Sequence, residues 1–294
     1  MSKKTKPIVC ENKKRQYHDV IDNVNSPCTP VIKWAGGKTQ LLNELKTRCP
    51  KDFETYYEPF FGSGALFFSS DFNKAVVNDT NFQLYTLYEN IKNEPERLVC
   101  EIDLLVDEFN KSNDKKSFYY NKRDEYNDMI RTSEIRASAL FIFINKTCFN
   151  GLYRTNSEGK YNVPFGQKKH LNNLSKGILE VSKSLQKVRL MNIDFKEVVK
   201  DAKKDDFVYF DPPYYNTFTS YQANGFGIED QIRLAELFKE LSNRGVYCML
   251  SNSNEQFIKD LYKEFNIEVV KVRRNINRNG DSRKGEEVII RNYE

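Results

Sequence analysis

Short runs rich in valine, isoleucine, phenylalanine and tyrosine recur through the second half of the chain, at Val188–Met191, Phe207–Phe210, 246–250, 267–272 and 287–290. Runs of this length, bounded by polar or turn-forming residues, predict strands. Between residues 31 and about 88, strand signals at 55–60 and Ala75–Asn78 alternate with helical stretches, the pattern of the first half of a wound α/β sheet. From about 90 to 146 the period changes. Leu98, Ile102, Leu105 and Phe109, then Ala137, Leu140, Phe141 and Ile144, recur at helical spacing with no strand signal between them. Residues 148–167 carry the turn signals Asn150-Gly151, Glu158-Gly159 and Val163-Pro164 and predict a loop or hairpin. Leu174, Ile178, Val181 and Leu185 then predict a helix that returns the chain to the sheet. The expected organisation is an α/β catalytic domain at 29–89 and 171–294, interrupted by a helical and hairpin insertion at 90–170. Residues 1–28 are rich in lysine and asparagine, lack periodicity and predict a flexible arm.

With 294 residues the chain is long enough for one large domain with an insertion, or for two modest ones. A formal net charge of +5 permits a polyanionic partner without requiring one. The six cysteines, at 10, 28, 49, 100, 148 and 248, show no close pairing, and His18 and His170 are the only imidazoles. That distribution argues against a zinc site or a disulfide framework and points to reducing cytosol. No apolar stretch approaches the length of a membrane span, and Met1-Ser2-Lys3-Lys4 leads into polar sequence rather than a signal-peptide core.

Asp211-Pro212-Pro213-Tyr214 follows the run Phe207–Phe210 and so falls at the carboxyl end of a strand, where open α/β sheets hold their ligands. The four residue types suit group transfer onto the exocyclic amine of a flat base. Such a nitrogen is a poor nucleophile because its lone pair is delocalised into the ring. The Asp211 side chain and the Pro212 carbonyl, both accepting from the NH2, would draw it toward tetrahedral geometry. Pro212 and Pro213 supply no competing N–H donors, and Tyr214 offers a face for stacking. An aspartate opening a proline turn is the plainer alternative. Gly37-Lys38-Thr39 looks like the end of a P-loop, yet Ile32 stands where that motif needs glycine, so a nucleotide triphosphatase is disfavoured. Phe61-Gly62-Ser63-Gly64 follows a predicted strand, and its glycines allow close approach of backbone to a ligand, or simply make a tight turn. Phe67 replaces the third glycine of a dinucleotide fingerprint. Asp79 ends the next strand, the usual position of an acid that binds ribose hydroxyls. An adenosine-containing ligand without a pyrophosphate fits this set, and S-adenosyl-L-methionine is such a ligand.

Lys33-Trp34-Ala35-Gly36-Gly37-Lys38, Glu58-Pro59-Phe60-Phe61-Gly62-Ser63-Gly64 and Asp211-Pro212-Pro213-Tyr214 occur in the order seen in Dam-type DNA adenine N6-methyltransferases of the D12 class, alpha group. Residues 145–154 and 161–166 resemble the hairpin by which the GATC-specific members read their target. The resemblance runs from Val31 to the C-terminus. It implies a Rossmann-like mixed seven-stranded sheet, the S-adenosylmethionine-dependent methyltransferase fold, with a target-recognition insertion. It also implies methyl transfer from S-adenosyl-L-methionine to adenine N6 in duplex DNA, by base flipping and direct in-line displacement that calls for no metal. Residue by residue, it marks Trp34, Ala35, Gly36, Lys38, Phe61, Gly62, Gly64, Asp79, Asp194, Phe195 and Asp211 for the cofactor. Asp194 and Phe195 read equally well as an ordinary helix cap. Asp211, Pro212, Pro213 and Tyr214 are the expected catalytic residues. For DNA it marks Lys33 and Arg154 against guanine, Pro164 beside thymine, Phe149 and Asn150 in the space left by a flipped base, Tyr221 in a closing loop and Arg274 at phosphate. A phosphate contact or surface ion pair is the alternative for Arg154.

Two competing functions stay open on sequence alone: the same chemistry on cytosine N4, RNA adenine or a protein glutamine amide, and a DNA-binding protein that has lost catalysis. Intact Asp211–Tyr214 and Lys38 argue against the second. The further expectation is a monomer in the cytoplasm of a bacterium, or one encoded by a phage.

Overall fold

Strands buried on both faces need apolar residues at every position, and Phe207–Phe210 meets that demand, with all four side chains buried. The computed structural model describes residues 28–216, 225–273 and 284–294. Two compact units emerge: the described part of Met1–Gly37 with Asn81–Gln186, and Lys38–Thr80 with Lys187–Glu294.

The second unit opens with a single 3-10 turn at Lys38–Gln40, followed by α1 (Leu42–Arg48), β1 (Tyr56–Glu58), α2 (Ala65–Phe68) and β2 (Ala75–Asn78). The chain then builds the other unit with α3 (Phe82–Asn93), α4 (Pro95–Lys111), α5 (Lys115–Met129), α6 (Ile135–Thr147), a 3-10 turn at Phe149–Gly151 and α7 (Ile178–Leu185). It returns with β3 (Val188–Met191), α8 (Phe195–Val198), β4 (Phe207–Phe210), α9 (Ile228–Asn243), β5 (Tyr247–Ser253), α10 (Gln256–Leu261), β6 (Asn266–Arg273) and β7 (Lys284–Arg291). The result is a mixed, Rossmann-like seven-stranded sheet of order β3-β2-β1-β4-β5-β7-β6 with flanking helices. Strands β1 to β5 run parallel, and β7 pairs antiparallel with both β5 and β6.

Side chains of a strand alternate between faces. Val208, Phe210, Cys248 and Leu250 point one way, into a core completed by Leu234, Leu237, Phe238 and Leu241 of α9 with Ile258 and Tyr262. On the other side Tyr56 packs its ring 4.2 Å from Phe72, 5.6 Å from Phe207 and 6.3 Å from Phe67. Each buried ring of this size contributes roughly 1.5–3 kcal/mol. Positions 207, 209 and 211 share a face, so Asp211 emerges at the end of β4.

In the helical unit α6 is apolar nearly all round, with every residue from Ala137 to Asn145 buried, as a central helix requires. Helix α4 instead buries one stripe: Leu98, Val99, Ile102, Leu105, Val106 and Phe109. Asn81 caps α3 by accepting from Leu84 N, and Asp114 caps α5 by accepting from Ser117 N.

Several boundaries differ from the sequence expectation. Strand β1 stops at Glu58 rather than at residue 60, because Pro59 has no N–H for a ladder and Phe61 N is already turning back to Asn78 O. Strand β5 runs on through Ser251, Asn252 and Ser253, whose polarity hid a strand end that pairs with Ile289, Val288 and Glu287. Leu174 lies in the turn before α7 rather than within a helix.

Candidate active site and recognition hairpin

In the sheet, β2 and β3 lie to one side of β1, and β4 and β5 to the other. The crevice between the carboxyl ends of β1 and β4 is the switch point where open α/β sheets take ligands. Asp211 stands at that end of β4. Its Oδ1 lies 2.7 Å from Lys38 Nζ and accepts a second hydrogen bond from Ser251 Oγ at 2.8 Å. Tyr209 OH is 2.9 Å from the same serine oxygen. Among the described residues, Asp211 Oδ2 and the Pro212 carbonyl oxygen have no hydrogen-bond partner, whereas the Pro213 carbonyl accepts from Gln231 Nε2 at 2.9 Å.

The turn is braced from behind. Asn252 Nδ2 donates to Gln231 Oε1 at 3.0 Å while its own Oδ1 accepts from Tyr215 N at 3.2 Å, and both amides are wholly buried. Tyr214 donates to Glu287 Oε2 at 2.7 Å, and Lys38 Nζ lies 4.6 Å from the centre of its ring. Burial raises the Asp211 pKa above the ordinary aspartate value, with Lys38 and Ser251 acting in the opposite sense. Burial, then the Asp211 charge, pushes the Tyr209 phenol well up, so it stays protonated. Glu58, which accepts from Tyr56 OH at 2.8 Å, is likewise pushed well above the carboxylate range, by burial first and by Asp211 second.

Beyond β1, Gly62 and Gly64 adopt φ of 50° and 66°. A Cβ on Gly64 would sit 2.5 Å from the Phe61 ring, so close packing as well as the left-handed backbone demands glycine there. Gly62 N donates to Asp79 Oδ2 at 2.8 Å, which draws the acid at the end of β2 toward the turn after β1. Asp194 caps α8 by accepting from Lys196 N and pairs with Arg233 at 3.1 Å. Phe195 is buried against Phe60 and Phe226.

In the helical unit the Trp34 ring lies 4.6 Å from Tyr153 and edge-on to Phe141, and Gly37 N closes a turn across Ala35 and Gly36 by donating to Trp34 O. Asn145, wholly buried on α6, accepts from Lys33 N and donates to Lys33 O, both at 2.9 Å. Residues 148–166 form the expected hairpin, bridged at Cys148 with Phe165 and at Thr155 with Tyr161. Tyr161 OH donates to Leu152 O at 2.6 Å, and Tyr119 OH to Val163 O at 2.8 Å. The hairpin presents Phe149, 52% exposed, beside Asn150, whose φ is 56°. Pro164 is exposed, and its carbonyl accepts from Phe149 N. Arg154 is exposed too, its Nε donating to Asn162 Oδ1 at 2.7 Å. Lys33, Lys146, Phe149, Asn150 and Lys168 line a shared pocket, where burial and then the Lys33 charge lower the Lys146 pKa. Tyr221 and Arg274 lie outside the described residues.

Residues 34–276 match the family of D12 class N6 adenine-specific DNA methyltransferases. The chain belongs to that family. This methyltransferase is 41% identical over 285 residues to the Type II methyltransferase M.MjaIII of Methanocaldococcus jannaschii, covering 90% of this chain and 99% of the relative. It is 39% identical over 275 residues to M1.LlaDCHI of Lactococcus lactis subsp. cremoris, with 90% and 95% covered. The DNA adenine methylase of Escherichia coli K12 is 32% identical over 268 residues, with 89% and 94% covered. It is an adenine-specific DNA methyltransferase, and none of the described helices is long and apolar enough to cross a membrane.

Sequence reasoning had no account of Ser251, Tyr209, Gln231, Asn252 and Glu287, which surround the Asp211–Tyr214 turn of this methyltransferase, nor of Asn162 beside Arg154 or Arg233 beside Asp194. One signal was available: the polar run Ser251-Asn252-Ser253 directly follows a buried apolar strand.

Proposed function

We propose that this chain transfers a methyl group from S-adenosyl-L-methionine to adenine N6 in duplex DNA, within GATC, by flipping the base and displacing in line. The observation that carries the reading is the pair of neighbouring acceptors, Asp211 Oδ2 and Pro212 O, without partners among the described residues, while the adjacent Asp211 Oδ1 and Pro213 O are taken. An NH2 donating both protons to that pair has its lone pair directed away from them, ready to attack. Tyr214 supplies a stacking face whose tilt is fixed by its bond to Glu287. Lys38 holds the carboxylate in place and keeps its negative charge compensated until the amine gains positive character.

The residues present fit a sulfonium donor. Asp79 stands at the end of β2 beside the Gly62 turn, suited to ribose hydroxyls, and the carboxylate of Asp211 suits a positive sulfonium. When bound, that donor supplies an activated methyl carbon, and the chain's task is alignment. Removing adenine from the stack costs a few kcal/mol. Phe149, large, apolar and half exposed in the 3-10 turn at the base of the hairpin, suits the space left behind. The hairpin's resemblance to that of GATC readers supports the target, with Arg154 presenting a planar fork to guanine O6 and N7.

Tritiated methyl transfer to duplexes that differ only in a GATC site tests the reading, followed by digestion with endonucleases that differ only in tolerance of adenine methylation. Label in the GATC duplex alone is expected. Equal label in both removes the site assignment, and label in neither removes the activity.

A further inference from the structure

We propose that Ser251 is a positioning residue for methyl transfer: backed by Tyr209, it turns the Asp211 carboxylate so that Oδ1 is filled by protein donors and Oδ2 faces the target amine. The inference rests on the reading of Asp211 given above and adds a residue to which no role in the reaction has been given.

A carboxylate has two chemically equivalent oxygens, and rotation about its Cβ–Cγ bond exchanges them. An isolated aspartate therefore has no defined oxygen for substrate. Here Lys38 Nζ and Ser251 Oγ converge on the same oxygen, at 2.7 and 2.8 Å, from a 3-10 turn and from β5 respectively. A lysine alone has three rotatable donors on a flexible stem and follows the carboxylate as it turns. The serine hydroxyl is short, sits in a wholly buried strand position and has one proton. With that proton given to Asp211, the 2.9 Å contact to Tyr209 runs in one sense: the phenol donates to Ser251 Oγ. Tyr209 is 1% exposed, and with the serine proton on Asp211 the chain Tyr209 O–H to Ser251 O–H to Asp211 Oδ1 is directional.

The register of the sheet explains why these three residues meet. Phe210 pairs with Leu250 across the β4–β5 ladder, so Asp211 and Ser251 follow on neighbouring strands, and positions 209 and 211 share a face. Ser251 in turn pairs with Ile289 of β7, which fixes it from the far side. The charged and titratable groups around Asp211 are Lys38 from the 3-10 turn, Glu58 of β1, Tyr209 of β4, Tyr214 of its own turn and Glu287 of β7. Ser251 adds to that set a donor that does not titrate, and its bond favours the ionised carboxylate.

The test uses full-length chain, tritiated donor and one duplex that the wild-type chain methylates, comparing Ser251→Ala, Ser251→Thr, Tyr209→Phe and Asp211→Ala by single turnover and across pH. Ser251→Ala is expected to slow transfer about 10-fold or more, with KM for duplex and donor within about twofold. Its acid limb should move to higher pH, because a bond that favours the carboxylate is gone. Ser251→Thr, which keeps the hydroxyl, should return the rate to within about threefold of wild type and restore the limb, and Tyr209→Phe should shift both in the same direction by less. A Ser251→Ala enzyme with wild-type rate and unmoved limb overturns the inference, as does a loss that threonine fails to rescue. The Asp211→Ala arm separates the two layers. If it is inactive while Ser251→Ala matches wild type, the serine assignment alone fails; if it retains full activity, the reading of Asp211 fails with it.

Discussion

Lys38 Nζ stands 2.7 Å from Asp211 Oδ1 and 4.6 Å from the centre of the Tyr214 ring, so one cation orders both the carboxylate and the aromatic face of the proposed base site. Replacing it with methionine keeps the stem and removes the charge. Lys38→Met should lower kcat about 100-fold, comparable to losing one preorganised charged donor. Asp211 already has a raised pKa, so the wild-type acid limb of kcat should lie above the ordinary aspartate range. The Lys38 charge opposes that rise, so the limb should move further up in Lys38→Met. A pH series of single-turnover rates from 5 to 9 measures both, and an unmoved limb contradicts the ion pair as a catalytic element.

Arg154 is held by two bonds to Asn162, its Nε donating to Oδ1 at 2.7 Å and its Nη2 to the backbone oxygen at 3.4 Å. On the proposed GATC reading, Arg154→Ala should cost about 1–3 kcal/mol of discrimination between that site and duplexes with its guanine replaced. Asn162→Ala keeps the fork but removes the shorter of those bonds, and should cost discrimination in the same direction by about a third to a half as much. Ratios of kcat/KM for matched and substituted duplexes decide. A uniform loss on all sequences would instead mark Arg154 as a phosphate contact.

Glu58 is buried at 2% exposure with its pKa pushed well up, so the folded chain holds it protonated while the unfolded chain releases that proton at ordinary carboxylate pH. Between those two values the native state binds more protons, and stability falls as pH rises. Glu58→Gln retains an acceptor for Tyr56 OH and removes the titration. It should therefore melt higher than wild type at pH 8 and show a flatter dependence between pH 5 and 8. Calorimetric melting temperatures across that range test it, and equal slopes would count against a protonated Glu58.

Asn145 exchanges two hydrogen bonds with the backbone of Lys33 from a fully buried position on α6. Asn145→Ala leaves both backbone groups without that partner and should destabilise the chain by about 1–3 kcal/mol. Because the same bonds set where the Lys33 side chain starts, duplex affinity should fall as well. Denaturant titration and fluorescence anisotropy read the two effects separately.

How much of this was legible beforehand follows from what each residue answers to. Strands Val188–Met191 and Phe207–Phe210 were read with the bounds the structure gives, since local apolar runs report burial directly. Helix α5 left no comparable stripe, because it buries only Tyr119 and Tyr126, and Tyr119 reaches the hairpin with its hydroxyl on Val163 O as well as its ring against Phe165. Among candidate site residues, Asp211 and Pro212 stood out by their chemistry at the end of a strand, and Lys38 by the family resemblance. Ser251, Gln231 and Glu287 did not, for a serine, a glutamine and a glutamate forty, twenty and seventy-six positions away give no local sign of sharing a corner with Asp211.

By itself the amino-acid order marked where the chemistry would lie: an aspartate and two prolines after a buried strand, a glycine turn after another, and an acid after a third. Those features are local, because strand ends and turns are written in neighbouring side chains. Only the folded sheet decided which oxygen of Asp211 is occupied and which is left open. That outcome depends on strand register, which brings Tyr209 and Ser251 together, and on the 3-10 turn that adds Lys38, all from stretches that share no sequence neighbourhood.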